Sequence, residues 1–174
     1  MNTNVKTAKM LTRYNAWANH LIFEAVEQLP PQEITKERDT VFKNIVYTLN
    51  HCYVIAQIWQ AHLEGREHGF TARNTKDCPP IDLLHAAQKE IDNWYINLSD
   101  NLSSDALNEM IHFTFIGGTK GAMTREEILI HIVNHTSFHR GFVADMFYQI
   151  PARPPTTDLP VFLQNMRNEG LPLI

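Results

Sequence analysis

Apolar residues recur at helical spacing in four long segments, with turn-forming residues between them. In the first, Leu11, Tyr14, Trp17, Ala18, Leu21, Ala25 and Leu29 share a face, which predicts a helix over 5–29 stopped by Pro30 and Pro31. The second keeps the 3.6-residue period through Val41, Ile45, Thr48, Leu49, Cys52, Ile55, Ala56, Trp59 and Leu63. Tyr47, Val54 and Ile58 widen its apolar arc, so burial on most sides is expected. Gly65 and Gly69 close it, and the polar, turn-rich stretch 66–80 reads as a long crossover. A third helix opens after Pro79 and Pro80 and carries Leu84, Ala87, Ile91, Trp94, Tyr95 and Leu98 to the polar cluster at 99–104.

Ile111 to Ile116 is strand-like, and with Gly117, Gly118 and a return through Lys120 it predicts a small hairpin. Thr124 with Glu127 three residues later is a capping-box pattern, so the last helix starts at Thr124 or Arg125 and reaches Tyr148. The tail from Pro151 holds Pro151, Pro154, Pro155, Pro160 and Pro172, with Phe162 and Leu163 as anchors that fold it back. Four amphipathic helices with one long crossover predict an all-α four-helix bundle, and a chain of 174 residues fits a single domain over 1–174.

Bundles place ligand sites between facing helices, so inward polar residues matter most. The chain has nine histidines. On the last helix Ile128, Ile132, Phe142 and Met146 define an inward stripe, and His135 and His139 fall within about 20° of its centre. Two imidazoles one turn apart converge on a metal ion; otherwise each must be a core histidine bonded to a polar neighbour. His131 starts about 12 Å along the axis from His139 and reads as a flanking residue, so a third ligand is expected from another helix. On the second helix His51 and His62 fall on the same side, and spacing does not choose between them. His20, His68, His85 and His112 lack partners at ligand spacing and are expected to be solvated or locally bonded. Arg140, about 120° off the stripe, reads as a surface or interface ion pair, and Asp145 as a surface residue.

Fifteen Lys+Arg against nineteen Asp+Glu give a net charge of -4, without the basic patch of a nucleic-acid binder. No apolar leader core and no apolar run of about 18 residues occurs, so a cytoplasmic protein without a membrane partner is expected. Cys52 and Cys78 form no CxxC motif and fit a reducing compartment. A domain of this size buries roughly 70% of its unfolded surface, so an ion would serve function and not folding. Trp17, Trp94 and Tyr95 exceed what one small core must hold, and an exposed aromatic stripe predicts a symmetric homodimer.

Three stretches carry a wider resemblance: Tyr14-Asn15-Ala16-Trp17-Ala18-Asn19, Thr48-Leu49-Asn50-His51 with Trp59, and His131-Ile132-Val133-Asn134-His135 through His139-Arg140-Gly141. Over nearly its whole length the chain resembles the DinB (DNA-damage-inducible) family of four-helix metal-binding proteins. The resemblance implies that His51, His135 and His139 bind a divalent ion, nickel or zinc, with water completing the shell. It also implies a stress-response protein, without implying polymerase activity or DNA binding. Relatives of this type include thiol-dependent S-transferases and a maleylpyruvate isomerase that use low-molecular-weight thiols such as bacillithiol or mycothiol. The implied partners are a small-molecule substrate and such a thiol. Phe142 stands where the family often has Gln.

A neutral three-histidine set leaves an ion its full charge and an open position, suited to acidifying water, polarising an oxygen or taking a thiol as thiolate. The first two favour a hydrolase and the third a thiol transferase. A non-enzymatic metal-binding stress-response protein is the remaining class; an apolar pocket beside the site would favour an enzyme over it. Tyr14, Asn50, Asn134 and Asp145 are the candidate acids or bases, and spacing singles out none of them.

Overall fold

The structure, a computed structural model, describes residues 3–170. In chain order the elements are α1 (Thr3–Glu27), the short α2 (Pro31–Thr35), α3 (Ile45–Leu63), α4 (Ile81–Asn101), the short α5 (Ser104–Leu107), β1 (Met110–Thr114), β2 (Lys120–Thr124), α6 (Arg125–Tyr148) and α7 (Leu159–Asn168). The four long helices form the expected bundle: α1 lies against α4 and α6, and α3 against α6 and α4. Among the described residues, no helix is long and apolar enough to cross a membrane.

Most boundaries follow local chemistry. Thr124 accepts from the Glu127 N–H while the Glu127 carboxylate accepts from the Thr124 N–H, so α6 opens on the expected capping box. The second long helix starts four residues later than its periodicity predicts. Lys43 sits at φ 61°, which no helix interior tolerates, and the Asn44 side chain caps Tyr47 N–H at 2.8 Å. Val41, expected on the inward face, is accordingly 80% exposed. The hairpin has the register Met110↔Thr124 to Thr114↔Lys120, with Phe115 and Ile116 carried into its turn instead of the strand.

The tail folds back as expected, but through a helix. Phe162 on α7 is buried, its ring centroid 5.9 Å from Tyr14 and 5.5 Å from Trp17. The rings behind the homodimer expectation are thereby accounted for within the chain. Trp17 lies under α7, Trp94 packs edge-on against Tyr95, and Tyr95 is buried with its hydroxyl donating to the Ala56 carbonyl at 2.8 Å. They form no exposed stripe. Pro172, the last proline of the predicted tail, lies outside the described residues.

The core is two apolar clusters with a polar layer between them. One gathers Ile55, Ile58, Trp59, Ile91, Tyr95, Ile128 and Leu129; the other Ile22, Phe23, Val26, Leu49, Leu84, Met146 and Phe147. Between these positions each long helix turns polar: Asn15 and Asn19 on α1, Asn50 on α3, Gln88 and Asp92 on α4, Thr136, His139 and Arg140 on α6. Buried polar groups are tolerated only when bonded, so this layer fixes how the helices face one another.

Candidate metal centre

Packing of α3 against α6 brings His51 to the His135–His139 pair. The three ring Nε2 atoms meet: His51 to His135 at 3.3 Å and His139 to His135 at 3.1 Å. One ring nitrogen from each lies within 4.8 Å of the others, a set that can hold a metal ion. His51 Nδ1 lies 2.6 Å from the Arg73 carbonyl, which can only accept, so Nδ1 carries the proton and Nε2 offers its lone pair to the cluster. That carbonyl is placed by the crossover. Asn50, buried on α3, donates to Asn74 Oδ1 and to Thr75 Oγ1 (2.6 Å), and Asn74 donates to the Tyr47 carbonyl at 2.9 Å.

Burial keeps the rings neutral. It pushes His135 down to about 3, helped by the nearby His139, His51, His131 and Arg73, and His139 down to about 4, helped by His51. His51 is lowered by the same desolvation, which outweighs its bond to the Arg73 carbonyl. At neutral pH, one ring proton at most can serve both Nε2 contacts, so lone pairs crowd together. Tetrahedral ligands about 2.0–2.1 Å from an ion stand roughly 3.3 Å apart, close to the His51–His135 and His139–His135 separations. The buried Nδ1 atoms of His135 and His139 have no hydrogen-bond partner among the described residues, so the cluster is not closed into a protein-only network. The residues fit a divalent ion.

The three rings line a cavity of about 630 Å³. It runs along α3 from His51 to His62 and is walled by Phe42, Trp59, Phe115, Ile116, Met123 and Phe138, with His131 on its α6 side. Loop and hairpin residues therefore form much of a wall that helix periodicity does not reveal. Arg73 is the only Lys, Arg, Asp or Glu in the lining, and no ion pair engages it among the described residues.

The structure separates the two histidines that spacing left open. His62 lines the same cavity at its other end, packed against Trp59, Phe113 and His68 and outside the triad, and its pKa is lowered by burial. His131 packs edge-on against Trp59 and at a tilt beside His135 but stays outside the triad. None of the candidate acids or bases lines the cavity. The Tyr14 hydroxyl donates to the Thr157 carbonyl at 2.9 Å, Asn50 holds the crossover, and Asn134 and Asp145 are exposed.

Arg140 corrects the surface assignment: it is 3% exposed. Its Nη1 donates to Asn15 Oδ1 at 2.9 Å and Asn19 Oδ1 at 2.8 Å, and Asn19 Nδ2 passes the bond to Asp92 at 3.0 Å. The stripe through Ile128 and His135 marks only one edge of the inward arc, which extends to Leu129, Val133, Arg140 and Phe147. His85, expected to be solvated or locally bonded, is buried and contacts His20 across helices. Burial raises the Cys52 thiol to about 12 and so holds it protonated, and it raises the half-buried Cys78 thiol as well.

A four-helix bundle with one interhelical histidine triad beside an apolar cavity defines a class of candidate metal-binding protein. Residues 1–170 match the DinB family, and the chain belongs to it. It is 25% identical over 167 residues to Protein DinB of Bacillus subtilis (strain 168), covering 91% of this chain and 95% of that one. It is 26% identical over 128 residues to the uncharacterized protein YizA of the same organism, covering 74% and 78%. A DinB-like protein from Bacillus cereus ATCC 10987 shares the fold, with a TM-score of 0.64 at 14% identity over 83% of this chain and 91% of that one.

Proposed function

We propose that His51, His135 and His139 bind a divalent ion, nickel or zinc, and that the protein is a metal-dependent enzyme of the thiol S-transferase type acting on a small molecule. The convergence of three neutral imidazoles on the wall of a roughly 630 Å³ apolar cavity carries this reading. When bound, such an ion supplies Lewis acidity and a position that favours thiolate over thiol. The chain's own residues do the rest. Arg73 O orients His51, and Phe42, Trp59 and Phe138 keep water from the body of a small substrate. Because Cys52 is buried and held protonated, the thiol is supplied from outside. Arg73, the lone fixed charge in the lining among the described residues, suits a thiol or substrate with an anionic end.

Titration of Ni²⁺-loaded protein with 3-mercaptopropionate and 2-mercaptoethanol tests this. A sulfur-to-nickel charge-transfer band should grow with both, more tightly for the anionic thiol, and should be missing in the His135→Ala variant. Arg73→Gln should reduce the preference about tenfold, the value of one charge-assisted contact. Bound nickel with no band for either thiol would sink the thiol reading in favour of a hydrolase. A protein that takes up no nickel would remove the metal assignment altogether.

A further inference from the structure

The helix pair α1 and α4 carries a second histidine contact, remote in connectivity from the triad on α3 and α6. His20 Nδ1 faces His85 Nε2 at 3.4 Å. The opposite nitrogen of each ring meets a carboxylate: His85 Nδ1 lies 2.8 Å from Glu27 Oε1, and His20 Nε2 lies 3.2 Å from Glu24 Oε1. The four groups form one chain, Glu24–His20–His85–Glu27. A carboxylate accepts the ring proton of each neutral imidazole, so both lone pairs point at the gap between the rings. Two facing lone pairs repel unless His20 turns its own ring proton inward toward His85 Nε2 or a metal ion lies between them. Carboxylate–histidine–metal pairing of this kind fixes ring orientation and raises ligand basicity, and here it occurs twice around one gap.

We propose that His20 and His85 are a second transition-metal site, with His20 Nδ1 and His85 Nε2 as its protein ligands and water as the remainder. The 3.4 Å separation matches the roughly 3.3 Å edge of a tetrahedral nitrogen shell. The ligands are preorganised. His85 is buried, stacked on Phe23 with ring centroids 4.9 Å apart and 12° between planes. Access is open from the other side, because the His20 side chain is 42% exposed and both rings border a cavity of about 340 Å³ between α1 and α4. Two imidazoles favour Cu²⁺, Ni²⁺ and Zn²⁺ over Mg²⁺ or Ca²⁺. An ion there would tie α1 to α4 independently of the triad.

The test is a Cu²⁺ titration of metal-free full-length protein, followed by equilibrium dialysis and electron paramagnetic resonance. Wild type should bind two equivalents, His20→Ala one, and the His20→Ala/His135→Ala double variant none. His20 is partly exposed, so its removal should leave the circular dichroism spectrum unchanged. Glu27→Gln keeps both ligands but weakens the second equivalent about tenfold, which an incidental pair of surface histidines would not show. A single equivalent in wild type that His20→Ala leaves intact overturns the site, as does a second equivalent that survives both His20→Ala and His85→Ala. Loss of the triad's equivalent in His135→Ala with the second retained would fault neither assignment, so the two readings fail separately.

Discussion

Arg140 shows how far one side chain can depart from its helical-wheel position. Its guanidinium joins Asn15 and Asn19 of α1 and, through Asn19, the Asp92 carboxylate of α4, so it couples three helices inside the polar layer. Arg140→Met should leave two amide oxygens without their donor and the buried Asp92 carboxylate without its nearby positive charge, and cost about 3–5 kcal/mol in urea unfolding. Asp92→Asn is milder. It would set an amide donor against Asn19 or Gln88, and about 1–3 kcal/mol is expected from the same measurement. At the triad, His51→Ala, His135→Ala and His139→Ala should each lose the bound nickel, while His62→Ala keeps it, as read by metal analysis of purified protein. An empty site in His62→Ala with full loading of His51→Ala would reverse the assignment. His135 and His139 were legible in the sequence because paired imidazoles one turn apart on an apolar stripe are costly. Arg140 was not, because the Asn15 and Asn19 oxygens that hold it lie more than a hundred residues away along the chain.

At the level of elements, the site depends on the crossover as much as on the helices. Asn50, buried on α3, holds Asn74 and Thr75, and this loop presents the Arg73 carbonyl to His51. Asn50→Ala should release it. Trypsin should then cut faster between Arg66 and Lys76, and nickel affinity should fall about tenfold because His51 loses the acceptor that fixes its tautomer. Thr124→Ala removes half of the α6 capping box and should lower stability by about 1 kcal/mol without emptying the triad, as judged by thermal melts of the metal-free and loaded forms. The capping box was readable because both partners sit three residues apart. The loop latch was not, since it joins residues of different elements. Periodicity starts α3 too early because the apolar spacing continues back to Val41, whereas the backbone breaks at Lys43.

For the whole molecule, the two apolar clusters should hold the fold without an ion. Chelated protein is expected to keep its helical circular dichroism and a cooperative melt, at a lower temperature than the loaded form. Collapse on chelation would make the ion structural. The metal-free protein should also be acid-sensitive in a defined sense. Unfolded imidazoles protonate near 6.5, whereas folded His139 and His135 hold out to about 4 and about 3, so between those limits the unfolded chain binds more protons. Stability therefore falls as pH drops from about 6.5 toward 4. Asp92 works in the opposite direction: burial raises its carboxyl from 3.8 to about 6, so the folded chain binds that proton first and gains stability as pH falls between those values. The histidines are expected to dominate. A His135→Gln/His139→Gln variant should then lose less stability between pH 6.5 and 4 than wild type, and equal losses would show that the pair does not control the acid response.

Periodicity, punctuation and one capping box determined the helical class, the long crossover, the hairpin and the folded-back tail, because those signals are local and repeat many times. The amphipathic stripe also marked His135 and His139 as unusual. Only tertiary packing set the rotation of each helix, and with it the polar layer, the burial of Arg140 and the meeting of His20 with His85. The reason is physical: an apolar arc wider than one stripe leaves several rotations equally dry, and the choice among them falls to hydrogen bonds between residues distant in the chain. The cavity wall was decided in the same way, since Phe42, Arg73 and Phe115 reach it from turns whose paths no periodic pattern specifies.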